Sequence, residues 1–371
     1  MRGFISSSAS WRRMDWVLVL SALALSFVGL TAIYSVDLSR GDSLDFFSTQ
    51  SLSLAIALAV FLVASNIHIS FYEMSARLIY ITAFGMLAAV LFFGTNIRGT
   101  TGWFHFFGFS FQPAEFAKLA LIIFLAWRIE RQGRRFEKWQ FVAATGALAF
   151  FLAGLILLQP DLGSGAVLAG IWFGLLFLTG TKKRYIFGLV GVAIGLAIFS
   201  WFFLFKPYQK DRLLTFLNPG LDPLKSGYNV NQSIIAIGSG NFFGRGLGFG
   251  SQSQLHFLPE AQTDFIVSVI GEELGFVGLS LLILLYCALL WRLVVVAAKC
   301  RTDFSAYAVL GSVLLFTIQF AVNVGAAAGI LPVTGVTLPF VSYGGSSLII
   351  NFFLLGLAES ALVASAAGSG T

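Results

Sequence analysis

Apolar residues along this chain come in long unbroken runs, not with the three-to-four or two-residue period of an amphipathic helix or a half-buried strand. A helix needs about twenty apolar residues to cross the hydrocarbon core of a bilayer. Ten runs approach or reach that length: 16–35, 50–66, 74–94, 113–129, 139–157, 162–180, 184–204, 265–291, 304–330 and 339–365. The runs at 139–157 and 162–180 are separated only by Leu158-Gln159-Pro160-Asp161, where the proline disfavours a helical predecessor and marks a break. The pattern predicts an all-α polytopic membrane protein of about ten transmembrane helices, with residues 1–371 as a single integral membrane domain. Between helices 7 and 8 it leaves a large loop, 205–264, dense in turn formers: Asn218-Pro219-Gly220, Asp222-Pro223, Ser226-Gly227 and a glycine-rich stretch from Gly238 to Gly250. Phe242, Phe243, Leu247, Phe249, Leu255 and Phe257 give this loop too much apolar content for disorder. We expect it to fold against the outer face of the bundle.

Charge gives the runs an orientation. With the N-terminus taken as cytoplasmic, fifteen of the 23 Lys and Arg fall on inside segments and seven outside, five of these in 205–264; Lys118 lies within a run. Basic residues accumulate on the cytoplasmic side of membrane proteins, so both termini are expected there. The first run is too long for a signal-peptide core and lacks a small-residue cleavage site, which makes it a retained first span. Composition agrees: 57% of residues are hydrophobic and 11% charged, against about 25% charged in a soluble domain, which excludes a water-soluble enzyme and a disordered chain. The net charge of +6 then reflects basic loops beside anionic lipid, not nucleic acid. Cys287 and Cys300 make no disulfide framework, and His68, His105 and His256 have no metal-ligand spacing.

Ionisable groups inside spans are costly and mark sites by default. Gln112, Glu115 and Lys118 follow Pro113, which suits a first helical turn, and share one helix face. They either form a neutralised structural pair or line a polar cavity for a charged headgroup. In 258–275, Thr263 or Asp264 either caps the following helix or sets a carboxylate at the outer interface for acid–base work. Asp264, Ser268 and Glu272 fall at i, i+4 and i+8, so Glu272 lies about 12 Å deeper, and Glu272 and Glu273 read as internal anchors. Gln159-Pro160-Asp161 is an acidic turn on the outer side. The segment 331–347, with two prolines and many small residues, permits a broken helix and close backbone approach. Gly244-Arg245-Gly246-Leu247-Gly248 superficially matches a phosphate loop but follows no strand of a βαβ unit, so a dinucleotide site is rejected.

Taken together, Phe109-Ser-Phe-Gln-Pro-Ala-Glu-Phe-Ala-Lys118, Gln159-Pro-Asp-Leu-Gly163, Gly227-Tyr-Asn-Val-Asn-Gln-Ser233, Ile235-Ala-Ile-Gly-Ser-Gly240, Phe257-Leu-Pro-Glu-Ala-Gln-Thr-Asp-Phe265, Gly271-Glu-Glu-Leu-Gly275 and Leu338-Pro-Phe-Val-Ser-Tyr-Gly-Gly-Ser-Ser347 resemble the SEDS family (shape, elongation, division and sporulation), RodA and FtsW. The resemblance covers nearly the whole chain, and the wording at 236–240 and 331–335 is closer to RodA. Two positions depart from the family pattern. Gln262 stands where His is usual, and Thr100-Thr101-Gly102-Trp103 lacks the usual basic pair.

The resemblance implies a peptidoglycan glycosyltransferase. Such an enzyme polymerises lipid II at the outer face of the bacterial cytoplasmic (inner) membrane during cell elongation, with a class B penicillin-binding protein and the cell-wall elongation machinery as partners and no nucleic acid. It implies Asp264 as general base for the acceptor hydroxyl. It implies Arg98, Lys118, Arg212 and Arg245 as cations for the pyrophosphate, and Trp103, Gln112, Glu115, Asp161, Ser342 and Ser346 as further substrate-binding residues. It fixes no particular cofactor; a divalent cation, Mg or Mn, could assist, with Glu115 or Asp161 to hold it. A lipid II flippase without polymerase activity is the alternative, and a purely structural scaffold a third reading. The orientation is testable on its own: reporter fusions within 205–264 should read extracytoplasmic and fusions at 131–137 cytoplasmic, and a cytoplasmic signal from the large loop would overturn both the span count and the proposed site.

Overall fold

The computed structural model describes residues 14–39, 41, 44–97, 100–106, 109–132, 138–203, 210, 214 and 226–367. Each of the ten apolar runs coincides with a helix: α1 (Trp16–Leu38), α2 (Asp45–Asn66), α3 (Ile69–Phe93), α4 (Pro113–Gln132), α5 (Trp139–Leu158), α6 (Leu162–Leu178), α7 (Lys183–Phe203), α10 (Ile266–Lys299), α11 (Asp303–Ala327) and α12 (Gly345–Ala367). Among the described residues eight are long and apolar enough to cross a membrane. The other two are α6, of 17 residues, and α4, which carries Glu115, Lys118, Arg128, Glu130 and Arg131. Polar residues at the helix starts supply partners for end N–H groups. Asp15 accepts from Leu18 N at 3.2 Å, Asp161 from Ser164 N at 2.9 Å and Thr302 from Ser305 N at 3.2 Å.

The helical fold that the sequence predicts carries one small local addition between α3 and α4. Strands β1 (Thr95–Ile97), β2 (Thr100–Phe106) and β3 (Phe109–Phe111) form a small antiparallel sheet in that order, with Thr95 opposite Trp103 and Phe104 opposite Phe111. Threonines and aromatics dominate these ten-odd residues and favour a pleated, half-buried surface. A correction concerns the long loop. Residues 226–254 contain α8 (Ser226–Ser239) and the single turn α9 (Ser251–Gln254), and α8 packs along α10. Ser233 fixes that contact: its hydroxyl donates to the Ala327 carbonyl at 2.6 Å and lies 2.6 Å from the Ser268 hydroxyl.

Helix α4 lies at the centre, packed against α3, α5, α6, α11 and α12, and is buried on every face from Pro113 to Trp127 save Phe116. Helix α2 lies along α12, and α1 along α10. At one end of the bundle Arg292 of α10 donates through Nε to both Asp15 carboxylate oxygens, at 3.1 and 2.9 Å, and also through its terminal nitrogen. The Asp15 N–H in turn donates to the Glu359 carboxylate of α12 at 3.1 and 3.2 Å. Among its described residues α7 buries none fully, although Tyr185 and Leu189 pack partly against the core.

Helix α10 is broken at Gly275, whose φ of 65° and ψ of −160° lie outside the helical region. The glycine-rich stretch inserts there. Arg245 N donates to Glu272 O and Gly246 N to Glu273 O, both at 3.0 Å, while Phe276 N donates to Asn241 O at 2.9 Å and Val277 N to Phe242 O at 3.1 Å. The helix therefore opens without stranding its backbone groups. Both glycines are needed for this: a Cβ on Gly275 would run into the Gly244 nitrogen, and one on Gly244, at φ 82°, into the Glu273 carbonyl. Gly275→Ala should cost about 3 kcal/mol or more, from left-handed strain plus a backbone clash. Gly154→Ala, in a helix interior where a Cβ meets nothing within 4 Å, should be neutral or gain up to about 1 kcal/mol. Melting of the two variants in detergent checks this, and equal melting temperatures would remove the insertion as a stabilising feature.

Candidate functional site

The turn carrying Asp264 is wound tightly on one carbonyl. The N–H groups of Thr263, Asp264 and Phe265 all donate to Glu260 O, at 3.1, 3.2 and 3.4 Å, and Glu260 takes a φ of 55°. The Thr263 hydroxyl turns back to Glu260 O and Oε2, both at 3.3 Å. Helix α10 begins at Ile266 with Phe265 in the capping position, so neither Thr263 nor Asp264 occupies the cap that the sequence offered as one of two readings. Asp264 is half-buried, whereas Ser268 and Glu272, one and two turns on, are fully buried. Of the three residues on that face, only Asp264 reaches the surface.

The segment before α12 holds this turn in place. Ser342 Oγ donates to Thr263 O at 2.7 Å and accepts from Leu338 N at 3.0 Å. Tyr343 N donates to the carbonyl of buried Gln262 at 2.9 Å. Asn323 of α11 donates its amide to Asp264 O at 3.3 Å and to Val336 O at 2.8 Å. From α2, Gln50 donates to Ser342 O at 3.2 Å and accepts from Gly344 N at 3.1 Å. Burial, and then the carboxylates of Asp37 and Asp45, push the Tyr343 phenol up against the lowering effect of a Thr49 hydrogen bond, so it is protonated at neutral pH.

Four residues further on, Ser346 reaches the other group of candidates. Its hydroxyl accepts from Gln112 N at 3.1 Å and donates to Ser110 O at 2.9 Å. The Gln112 side chain donates to Asp161 Oδ2 at 3.4 Å, and Asp161 Oδ1 caps α6. Gly163 lies against the Thr334 carbonyl so closely that a Cβ would clash. One turn into α4, Lys118 Nζ donates to Glu115 Oε1 at 2.7 Å, both residues being less than 5% exposed. Trp103 sits on β2, half-buried, its carbonyl accepting from the Thr95 hydroxyl at 3.1 Å.

The structure thus brings Gln112, Asp161, Asp264, Ser342 and Ser346 together through the segment 334–346. Arg245 is elsewhere: it donates to Ser239 O at 3.4 Å and Ser251 Oγ at 2.9 Å, beside Glu272 at the α10 break. Glu272 accepts from Gln252 N and Ser253 N at 2.8 and 3.1 Å, and Glu273 from Ser35 and Ser253 hydroxyls at 2.6 and 3.1 Å, so both act as buried anchors. Arg98 and Arg212 lie outside the described residues. Among the described residues no three His, Cys, Asp or Glu side chains form a metal cluster, and the carboxylates of Glu115 and Asp161 contact Lys118, Ser164 and Gln112.

Sequence reasoning passed over Gln50 and Asn323, uncharged amides within apolar helices that tie the site together. Their signal was their polarity inside a span. Buried polar atoms without a partner among the described residues gather nearby in sequence: Asn323 Oδ1, Thr334 Oγ1, Asn351 Oδ1 and both side-chain atoms of Gln319. They give the interior unspent hydrogen-bonding capacity for a polar ligand.

A family model described as cell cycle protein, covering FtsW, RodA and SpoVE, matches residues 13–366. Stage V sporulation protein E of Bacillus subtilis (strain 168) is 36% identical over 352 residues, 92% of this chain and 95% of its own length. A probable peptidoglycan glycosyltransferase FtsW of Aliivibrio salmonicida (strain LFI1238) is 39% identical over 355 residues, 91% of this chain and 85% of its own. Among solved structures, a peptidoglycan synthase complex described as coordinating polymerization and crosslinking superposes with a TM-score of 0.80 at 32% identity, over 95% of this chain and 98% of the other. The rod shape determining protein RodA of Thermus thermophilus gives 0.70 at 31% identity, over 95% and 97%. A sporulation protein, an FtsW and a rod shape determining protein all match, so the RodA-like wording of two segments does not single out one of them.

The buried pair supplies a test. Glu115→Gln or Lys118→Met alone should cost about 3–5 kcal/mol, because each leaves its partner charged and unpaired in a sealed interior. Exchanging the two residues should recover thermal stability better than activity. Unchanged melting and unchanged activity in both single variants would mean that the pair carries neither.

Proposed function

The chain belongs to the FtsW, RodA and SpoVE family of cell cycle proteins, and we propose that it is a peptidoglycan glycosyltransferase. On this reading it polymerises lipid II into glycan strands during cell elongation, at the outer face of the bacterial cytoplasmic membrane, with both termini cytoplasmic. The names of its relatives support the activity. The observation that carries the residue assignment is the Asp264 turn: a half-buried carboxylate at the start of a membrane helix, its backbone fixed by Glu260 on one side and by Asn323 and Ser342 on the other.

The reaction follows from that geometry. The acceptor sugar's 4-hydroxyl attacks the anomeric carbon of the donor. The bond from that carbon to the lipid pyrophosphate breaks as the glycosidic bond forms, and the hydroxyl proton passes to Asp264. Negative charge develops on the departing pyrophosphate and needs fixed cations. Lys118 is sealed with Glu115, and Arg245 is turned to the Glu272 cluster, which leaves Arg98 and Arg212 for this role. Ser342 and Ser346 each spend their hydroxyls on backbone groups and so position the site, as do Gln112 and Asp161. The solved complex that coordinates polymerization with crosslinking supports a crosslinking partner, which for this chain we take to be a class B penicillin-binding protein.

Asp264→Asn keeps the side chain's size and its backbone contacts but removes the basic oxygen. Expression, detergent melting and partner binding should stay near wild type. Polymerisation of fluorescent lipid II by purified protein with its partner should fall by ~10²–10⁴-fold. Glu260→Gln, one turn earlier, should lose less. A fully active Asp264→Asn would make the residue structural, and lost lipid transport with intact polymerisation would favour the flippase.

A further inference from the structure

At the end of the bundle opposite the Asp264 turn, α3, α4 and α5 leave a groove of about 390 Å³ lined by Arg77, Tyr80, Ile81, Phe124, Trp127, Arg128, Ala144 and Leu148. Its deep wall is aromatic and rigid. Tyr80 and Phe124 meet at 4.6 Å, Phe124 and Trp127 at 5.3 Å, and the Tyr80 hydroxyl donates to Leu148 O at 2.8 Å. Its rim is cationic. The Arg77 guanidinium lies 4.6 Å from the Trp127 ring centre and that of Arg131 4.8 Å, so two positive charges share one indole. Arg128 joins them with no hydrogen bond or ion pair among the described residues. On the same helices, Glu130 lies beside Glu73 and the start of α11.

Two guanidinium groups, Arg77 and Arg128, line an apolar groove on which Ile81 is exposed, and they repel one another unless an anion lies between them. A site with a fixed positive rim, an aromatic floor and Ile81 open to hydrocarbon suits a molecule with a phosphate at one end and an acyl chain at the other. We infer that Arg77, Arg128 and Trp127 form a binding site for an anionic phospholipid of the cytoplasmic leaflet. The site is separate from the polymerising chemistry. It rests on the proposed sidedness only for the leaflet, which the reporter fusions test independently.

Native mass spectrometry of the full chain, released from detergent supplemented with phosphatidylglycerol, phosphatidylcholine or inorganic phosphate, tests this. One phosphatidylglycerol should be retained in preference to phosphatidylcholine, and inorganic phosphate should bind far more weakly, because it does not use the groove. Arg77→Gln and Arg128→Gln should each lower phosphatidylglycerol affinity about fivefold. Arg301→Gln, a basic residue outside the groove, should not. Ala144→Trp fills the groove without removing charge and should also reduce retention, which keeps the test open if an arginine variant folds poorly. Equal retention of the two lipids, equal loss in the Arg301 variant, or full retention in Ala144→Trp would each overturn the inference. Phosphate binding as tight as the lipid would reassign the rim to a soluble anion and overturn it too.

Discussion

In hydrocarbon an unpaired backbone N–H or C=O costs several kilocalories per mole, so a chain can leave the helix only where another part of itself supplies partners. Every irregular segment that shapes this site meets that condition. At Gly275 the second strand of partners comes from the glycine-rich stretch, which takes the Glu272 and Glu273 carbonyls and returns the Asn241 and Phe242 carbonyls. Before α12 the partners are side chains, Gln50, Asn323, Ser342 and Ser346, each bonded to backbone on a different element. The turn that presents Asp264 closes on itself through Glu260. The candidate catalytic carboxylate is therefore positioned by the same bonds that make its broken surroundings tolerable.

The distribution of charge inverts that of a soluble protein. The least apolar of the long helices, α4, is the most enclosed, while α7, whose apolar span is long enough to cross a membrane, has no fully buried position among its described residues. Outer helices can face lipid only if they are apolar. A central helix is free to carry Glu115 and Lys118 provided they meet, and the i, i+3 spacing lets them.

How much of this was legible follows from the same physics. Run length located a helix at each long apolar run, and among the described residues eight of these meet the length and apolarity that lipid crossing imposes. The break at Pro160 and the anchoring of Glu272 and Glu273 were readable from single residues. The sheet at 95–111 was hidden because short strands leave little periodicity, and α8 because its glycine and asparagine content reads as turn. The start of α10 after Phe265 depended on where the Glu260 turn closes, which no local signal fixes. Residues that join Asp264 to Gln112 are 234 to 294 positions from some of their partners, as in Ser346 with Gln112 and Gln50 with Gly344, and a sequence without an alignment does not pair them.

The contact of Asp15 with Arg292 and Glu359 has a consequence for biogenesis. Beyond its own capping bond to Leu18 N, Asp15 takes its partners from residues 277 and 344 positions later. A ribosome delivers α1 to the membrane long before either exists, so α1 first stands on its apolar length and its own cap. Helix α10 must then arrive, followed by α12, before the N-terminal register can lock. Assembly is thus circular in sequence and finishes at its beginning: a chain stalled before α10 lacks the cation for the Asp15 carboxylate, and one stalled before α12 lacks the acceptor for the Asp15 N–H.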